Sequence, residues 1–143
     1  MKIATIVGAR PQFIKIAPVS KKIRSTASFS EIIIHTGQHF DNMMSNIFFD
    51  EMNIPKPDYN LNINQLDYGQ MLEKMVKKIK PILSKENINA VLVYGDTNST
   101  LAGSISAKNL NIPIFHVEAG LRSFNRSMLE EKNRIITDHL SSL

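Results

Sequence analysis

Two carboxylates each follow a short apolar run: Asp96 in Tyr94-Gly95-Asp96-Thr97-Asn98-Ser99-Thr100, and Glu118 in His116-Val117-Glu118-Ala119-Gly120-Leu121-Arg122. If both runs are strands, both acids stand at strand carboxyl ends and point into one crevice. Paired carboxylates in a desolvated crevice are suited to proton transfer. Plainer roles stand beside this one. Asp96 sits among good helix caps, and Glu118 has Arg122 four residues on as an ion-pair partner. A third segment, Gly8-Ala9-Arg10-Pro11, combines a residue that turns tightly, a proline suited to a first helical turn and a permanent cation at the helix's positive end. It reads as an anion site or, equally, as a turn with an exposed arginine. Lys15, one helical turn further, adds a second cation or is simply solvated. The segment is neither GxGxxG nor GxxxxGK[ST], so nicotinamide and P-loop chemistry lose their main support.

Other polar clusters carry less. His35-Thr36-Gly37-Gln38-His39-Phe40-Asp41 holds two histidines and an acid, but no HExxH or similar fixed spacing, and no metal site is assigned. Asp41 reads as an N-cap for a following helix, leaving Gln38 and His39 as candidate ligand contacts. Glu130 and Glu131 open the last helical pattern, where the helix dipole favours acids. Lys21, Lys22, Arg24 and the lysines from Lys74 to Lys80 read as solvated helix faces. No aromatic residue interleaves with them, which argues against nucleic acid. Met43, Met44, Ile47 and Phe48 read as core packing.

These groups must be positioned by the apolar runs Ile3 to Val7, Ile32 to His35, Ala90 to Tyr94 and Pro113 to Val117. Continuous Ile/Val-rich runs suggest strands buried on both faces. Between them lie crossover helices, the clearest with Leu72, Met75, Val76, Ile79 and Leu83 on one side and Lys74, Lys77, Lys78 and Lys80 on the other. The βαβ rhythm predicts an α/β, Rossmann-like parallel sheet with helices on both faces. Asn53 to Gln65, rich in proline and asparagine, should be an extended surface connection. No domain boundary is visible. The sequence stops inside an amphipathic pattern that includes Ile135, Ile136 and Leu140, without the glycine stop or polar tail that usually closes a domain, and so reads as the front part of something larger.

Composition narrows the classes. At 143 residues the chain is one domain's worth, and 43% apolar residues exclude disorder. A net charge of +4 fits anionic small molecules as well as nucleic acid. The absence of cysteine excludes disulfides, thiolate metal sites and cysteine nucleophiles, and suits a reducing compartment, with cytoplasm as the expectation. The first apolar run is too short for a signal peptide or membrane span.

Four segments together, Gly8-Ala9-Arg10-Pro11-Gln12-Phe13-Ile14-Lys15 with Ala17-Pro18, His35-Thr36-Gly37-Gln38-His39, Tyr94-Gly95-Asp96-Thr97, and His116-Val117-Glu118-Ala119-Gly120-Leu121-Arg122-Ser123, resemble the successive signatures of the non-hydrolysing UDP-N-acetylglucosamine 2-epimerases. The resemblance runs in register along the whole chain. It corresponds to the N-terminal of the two Rossmann-like domains that this family packs in a glycosyltransferase-B arrangement, with the C-terminal nucleotide-binding domain absent from residues 1–143.

What the resemblance implies is inversion at C2, converting UDP-N-acetylglucosamine to UDP-N-acetylmannosamine for surface polysaccharide synthesis by UDP elimination and re-addition, with no nicotinamide, metal or other cofactor. It assigns acid/base positions to Asp96, Glu118 and Glu130, substrate-binding positions to Arg10, Lys15 and Arg134, and a regulatory UDP-sugar contact to Gln38 and His39. The family pattern Met-Pro-Glu-Glu-Ile-Asn-Arg stands here as Met128-Leu129-Glu130-Glu131-Lys132-Asn133-Arg134. The lost proline leaves the backbone before Glu130 less restrained. With one wall of a two-domain cleft, these residues alone are expected to have little or no epimerase activity. Alternatives are a truncated, non-catalytic remnant, favoured by Leu129 and Lys132, and an epimerase for another UDP-amino sugar such as a diacetamido-uronic acid. An exposed, partly apolar cleft face is expected to bring self-association or a docking partner.

Overall fold

The computed structural model describes residues 1–38 and 46–143. His39, Asp41, Met43 and Met44 lie outside the described residues. The elements in chain order are β1 (Lys2–Val7), α1 (Arg10–Arg24), β2 (Ser30–His35), α2 (Asn46–Glu51), β3 (Tyr59–Asn60), α3 (Tyr68–Lys85), β4 (Ala90–Tyr94), α4 (Asn98–Asn109), β5 (Ile114–Val117) and α5 (Leu129–Leu140). The strands form one parallel sheet in the order β3-β2-β1-β4-β5. The chain therefore builds outward from β1 through β2 to β3, then returns through α3 to place β4 on the other side of β1. That reversal opens a crevice at the carboxyl ends of β1 and β4.

Burial on both sheet faces explains why the strands read as continuous apolar runs. Ala4, Ile6, Ile32, Ile34, Val91 and Val93 pack with Met71, Met75, Ile79 and Leu83 of α3 and with Ala102 and Ala107 of α4. On the opposite face Val7, Ile33 and Tyr94 pack with Phe13 and Ile16 of α1 and with Phe48 and Phe49 of α2. The α/β, Rossmann-like architecture is as the sequence suggests. The α3 stripe is capped by Asp67, whose Oδ1 accepts from the Gln70 amide at 2.9 Å, satisfying one of the orphan donors of the first turn. Helix α4 is buried along most of its length through small residues. A Cβ at Gly103 would come within 2.9 Å of Ile6 Cδ1, so glycine lets this helix press against β1.

Three expectations need correction. The segment from Asn53 to Gln65 is extended but does not simply run over the surface. Ile54, Leu61 and Ile63 are buried, and Tyr59 and Asn60 pair with Ile34 and His35 as the edge strand β3. Ile47 is 65% exposed rather than core, whereas Phe48 is buried. In α5 Ile136 is exposed, and the buried positions are Glu131, Asn133, Arg134 and Thr137. Glu131, Asn133 and Arg134 are buried because they face the polar loops at the sheet's carboxyl edge, where hydrogen bonds replace apolar contact.

Candidate active site

The crevice at the β1/β4 switch point is a cleft of about 530 Å³ lined by residues of three loops and two helices, among them Arg10, Lys15, Asp96, Glu118 and Arg134. Its floor begins with the turn after β1. Gly8 is required there by space: a Cβ would lie 2.1 Å from Ser99 Oγ and 2.3 Å from Thr36 Oγ1. Pro11 occupies the first turn of α1, as its fixed φ and missing donor suit. Gln12, at the third helical position and 4% exposed, reaches back so that its Oε1 accepts from the Gly8 and Ala9 amides at 2.8 and 3.1 Å. Its Nε2 donates to the Tyr94 carbonyl at 2.8 Å and to Thr97 Oγ1 at 3.0 Å. One buried amide thus ties the turn after β1 to the loop that carries Asp96. Hydrophobic patterning does not single out Gln12, although a glutamine at the third position of a helix is a recognisable capping signal.

The carboxylates sit where the strand ends place them, each held by a cation. The cap of α4 is Thr97, whose hydroxyl accepts from the Thr100 amide, so Asp96 is not used as a cap. Asp96 Oδ2 instead accepts from Arg134 Nη2 at 2.8 Å. Arg134 is buried, and its Nη1 donates to the Glu118 main-chain carbonyl. The side chain of Glu118 pairs with Lys15, Oε1 to Nζ at 2.5 Å. This corrects the alternative of a Glu118–Arg122 pair: Arg122 Nη1 pairs with Asp138 Oδ2 at 2.6 Å. The four-residue spacing fails because Glu118 has φ +68° and Gly120 has φ +80°. The chain is therefore not helical between Glu118 and Arg122, and the i,i+4 rule does not apply. Arg10 lies over the Phe48 ring, 4.8 Å from its centroid, a cation–π arrangement at the cleft margin.

Not every expected site residue joins this cluster. Glu130 is exposed in the first turn of α5 and is not among the residues lining the cleft. Its neighbour Glu131 turns inward, accepting from the Ser123 amide at 2.8 Å, the Ser123 hydroxyl at 3.0 Å and the Phe124 amide at 3.3 Å. The Ser123 amide above all holds the Glu131 carboxyl below the usual range. Gln38 lies outside the cleft lining; its Oε1 accepts from the amide and hydroxyl of Ser99 at 3.0 and 2.7 Å, fastening the β2 loop to the start of α4. His39 lies outside the described residues. His35 packs edge-on to Phe13 with ring centroids 4.9 Å apart, and burial lowers its pKa.

A second tier of buried polar groups supports the loops. Asn133 Nδ2 donates to the Asp96 carbonyl and to Asn98 Oδ1, both at 3.0 Å, while its Oδ1 accepts from Tyr68 Oη at 2.8 Å. His116 and Asp138 are in contact at 2.7 Å. Burial alone would raise the Asp138 carboxyl, but Arg122, the Gly120 amide and His116 together hold it below its ordinary range. These partners are 16 to 65 residues apart along the chain, and only the fold reveals them. Among the described residues no group of three or more His, Asp or Glu side chains is placed to hold a metal ion, and no helix is long and apolar enough to cross a membrane.

Comparison with known proteins gives a consistent answer. The chain is 63% identical, over its full length, to a UDP-N-acetylglucosamine 2-epimerase homolog of Methanococcus maripaludis, and 58% identical to the UDP-2,3-diacetamido-2,3-dideoxy-D-glucuronate 2-epimerase of Pseudomonas aeruginosa. It spans 40% of the length of each. The Methanocaldococcus jannaschii UDP-GlcNAc 2-epimerase, crystallised in complex with UDP-GlcNAc and UDP, superimposes with a TM-score of 0.93 at 48% identity, over 99% of this chain and 39% of that one. A family model described as UDP-N-acetylglucosamine 2-epimerase matches residues 21–143. That match takes in everything except the first strand and most of the first helix, and the chain belongs to the UDP-N-acetylglucosamine 2-epimerase family.

Proposed function

We propose that residues 1–143 form the N-terminal, Rossmann-like wall of a UDP-sugar 2-epimerase site. The observation that carries this is the convergence of Asp96 and Glu118, each held by a cation, on a cleft that also presents Arg10 and lies at the sheet's switch point. In the proposed reaction a carboxylate removes the C2 proton, the C1–O bond to UDP breaks, and a C1=C2 double bond forms. Protonation of C2 on the opposite face, with return of UDP to C1, completes the inversion. Carboxylates suit the proton steps, and Arg10 and Lys15 suit the diphosphate that departs and returns. Arg134 acts in this reading by orienting Asp96, since the guanidinium is buried against that carboxylate and the Glu118 carbonyl. Glu130 enters only if the first turn of α5 rearranges when the cleft closes.

A second nucleotide-binding domain, in the same polypeptide or in another, closes the cleft. Without it the chain lacks the opposing groups that fixed-geometry catalysis requires. The substrate is a UDP-2-acetamido sugar, with UDP-N-acetylglucosamine first and polysaccharide precursor supply the role. No cofactor takes part, and the reaction belongs in the cytoplasm, which the lack of cysteine suits. The 58% identity to a diacetamido-glucuronate epimerase supports a second reading, in which the mechanism is kept and the sugar is a diacetamido-uronate.

Proton NMR of each UDP-sugar with the 143-residue chain in D2O tests the proposal. The expected result is broadened sugar-nucleotide signals, abolished by Arg10→Ala with Lys15→Ala, and little deuterium at C2. The sugar that broadens at the lower concentration identifies the substrate. No broadening with either would sink the proposal in favour of a non-catalytic remnant. Rapid C2 exchange lost in Asp96→Asn or Glu118→Gln would show that one wall suffices.

A further inference from the structure

The two carboxylates of the cleft ride on separate loops, and a relay of two side chains, His116 and Asp138, joins the main chain of one loop to that of the other. The His116 side chain is fully buried. Its Nε2 is 2.6 Å from the carbonyl of Gly95, the residue before Asp96. Its Nδ1 is 2.7 Å from Asp138 Oδ1. The other oxygen, Asp138 Oδ2, accepts from the amide of Gly120, two residues after Glu118, at 3.0 Å, and from Arg122 Nη1 at 2.6 Å. A carbonyl oxygen only accepts, so Nε2 carries a proton and donates it to Gly95. Gly95, Glu118 and Gly120 all have φ between +68° and +80°. Each is a point where a rotated peptide plane would redirect the chain and the side chain beside it.

Neither His116 nor Asp138 lines the cleft. Their bonds go to the main chain beside the acids rather than to the acids themselves. We propose that His116 and Asp138 are a positioning pair that sets the separation of Asp96 and Glu118, with α5 as the rigid support from which Asp138 holds the Glu118 loop directly and the Asp96 loop through His116. The chemical purpose of that separation rests on the epimerase reading of the cleft; the mechanical link does not.

A purely local role for Asp138, closing the turn at Gly120 and pairing Arg122, makes a different prediction. It gives Asp138 no influence on Gly95. Amide 1H–15N spectra of the 143-residue chain separate the two. Asp138→Asn should shift the Gly95 and Asp96 amides together with that of Gly120. Ile79→Val, a core change in α3 chosen for a comparable fall in Tm, should leave all three in place. Arg122→Gln, a milder change, should move the same amides in the same direction and serves if Asp138→Asn fails to fold. Shifts confined to Gly120 and Arg122, or equal shifts in the Ile79→Val control, would overturn the pairing. Titration with UDP-N-acetylglucosamine supplies the functional arm: Asp138→Asn should bind about tenfold more weakly, the scale of one lost charge-assisted hydrogen bond. A wild-type chain that binds no sugar nucleotide would overturn the epimerase reading while leaving the amide result to decide the positioning pair.

Discussion

Arg134 and Asp96, 38 residues apart in sequence, meet at 2.8 Å through Nη2 and Oδ2, and the same guanidinium holds the carbonyl of Glu118. One buried side chain of α5 thus spans the two loops that carry the acids. Its planar fork makes both contacts at once, which a lysine ammonium on a single stem does not reproduce. Arg134→Ala should destabilise the chain by about 1–3 kcal/mol, and Arg134→Lys should recover less than half of that loss. Urea unfolding of the three proteins checks this. Full recovery by lysine would mean that charge alone, not the fork, matters.

The Lys15–Glu118 pair should behave differently. Its side chains are 47% and 31% exposed, and pairs of that kind contribute well under 1 kcal/mol. Lys15→Ala should therefore leave the urea midpoint almost unchanged. The same substitution should weaken binding of UDP about tenfold, because a diphosphate loses one charge-assisted contact. Calorimetric titration with UDP alone reads this. A large stability loss with unchanged UDP affinity would make Lys15 structural.

Gly8→Ala tests the floor of the cleft. Its methyl would lie 2.1 Å from Ser99 Oγ and 2.3 Å from Thr36 Oγ1, and those hydroxyls are bonded to each other at 2.7 Å. Overpacking of this kind costs about 1–3 kcal/mol. Adding Ser99→Gly, which removes the nearer obstacle, should restore part of the loss in a double-mutant cycle. Additive effects of the two changes would contradict the close approach.

Stability should fall in two stages as the solution is acidified. His35 has a folded pKa lowered by burial. Its contribution is complete above the ordinary histidine value of 6.5 and is lost as pH falls from there through the folded value, because the unfolded chain takes up the proton first. The Glu131 and Asp138 carboxyls are also lowered. Their contributions are complete above 4.5 and 3.8, and are lost as pH falls through the folded values. Urea midpoints between pH 8 and 2.5 should show both declines. His35→Gln should flatten the upper one, and Glu131→Gln should make the lower one shallower. A midpoint that rose on going from pH 7 to 5 would contradict the upper stage.

The parts legible in the sequence were those written by local rules. Four strands buried on both faces announced themselves as Ile/Val runs, and the acids at their ends followed from strand polarity. The edge strand β3 did not, because Tyr59 and Asn60 are two residues without an apolar run, recruited by pairing with Ile34 and His35. The polarity of the buried face of α5 was equally hidden. Helical periodicity ranks Ile136 as a core position, yet Arg134 and Asn133 are the buried residues because polar loops lie opposite them. Short-range spacing misled most at Glu118, where left-handed backbone removed the alternative of a pairing with Arg122. The network through His116 and Asp138 depends on which loops the sheet brings side by side, and no window of sequence contains it.

The left-handed backbone at Glu118 sets folding against the acid/base role proposed for this position. For an L-residue with a side chain, φ near +68° costs about 1 kcal/mol relative to glycine. Glu118→Gly would relieve that strain and remove the carboxylate together. In a lineage that no longer carried out the reaction, drift toward glycine or asparagine at this position would meet no resistance from the fold and a mild incentive from its stability. On the proposed role, the acid at 118 is thus the residue whose loss would first record that a descendant of this chain had changed occupation.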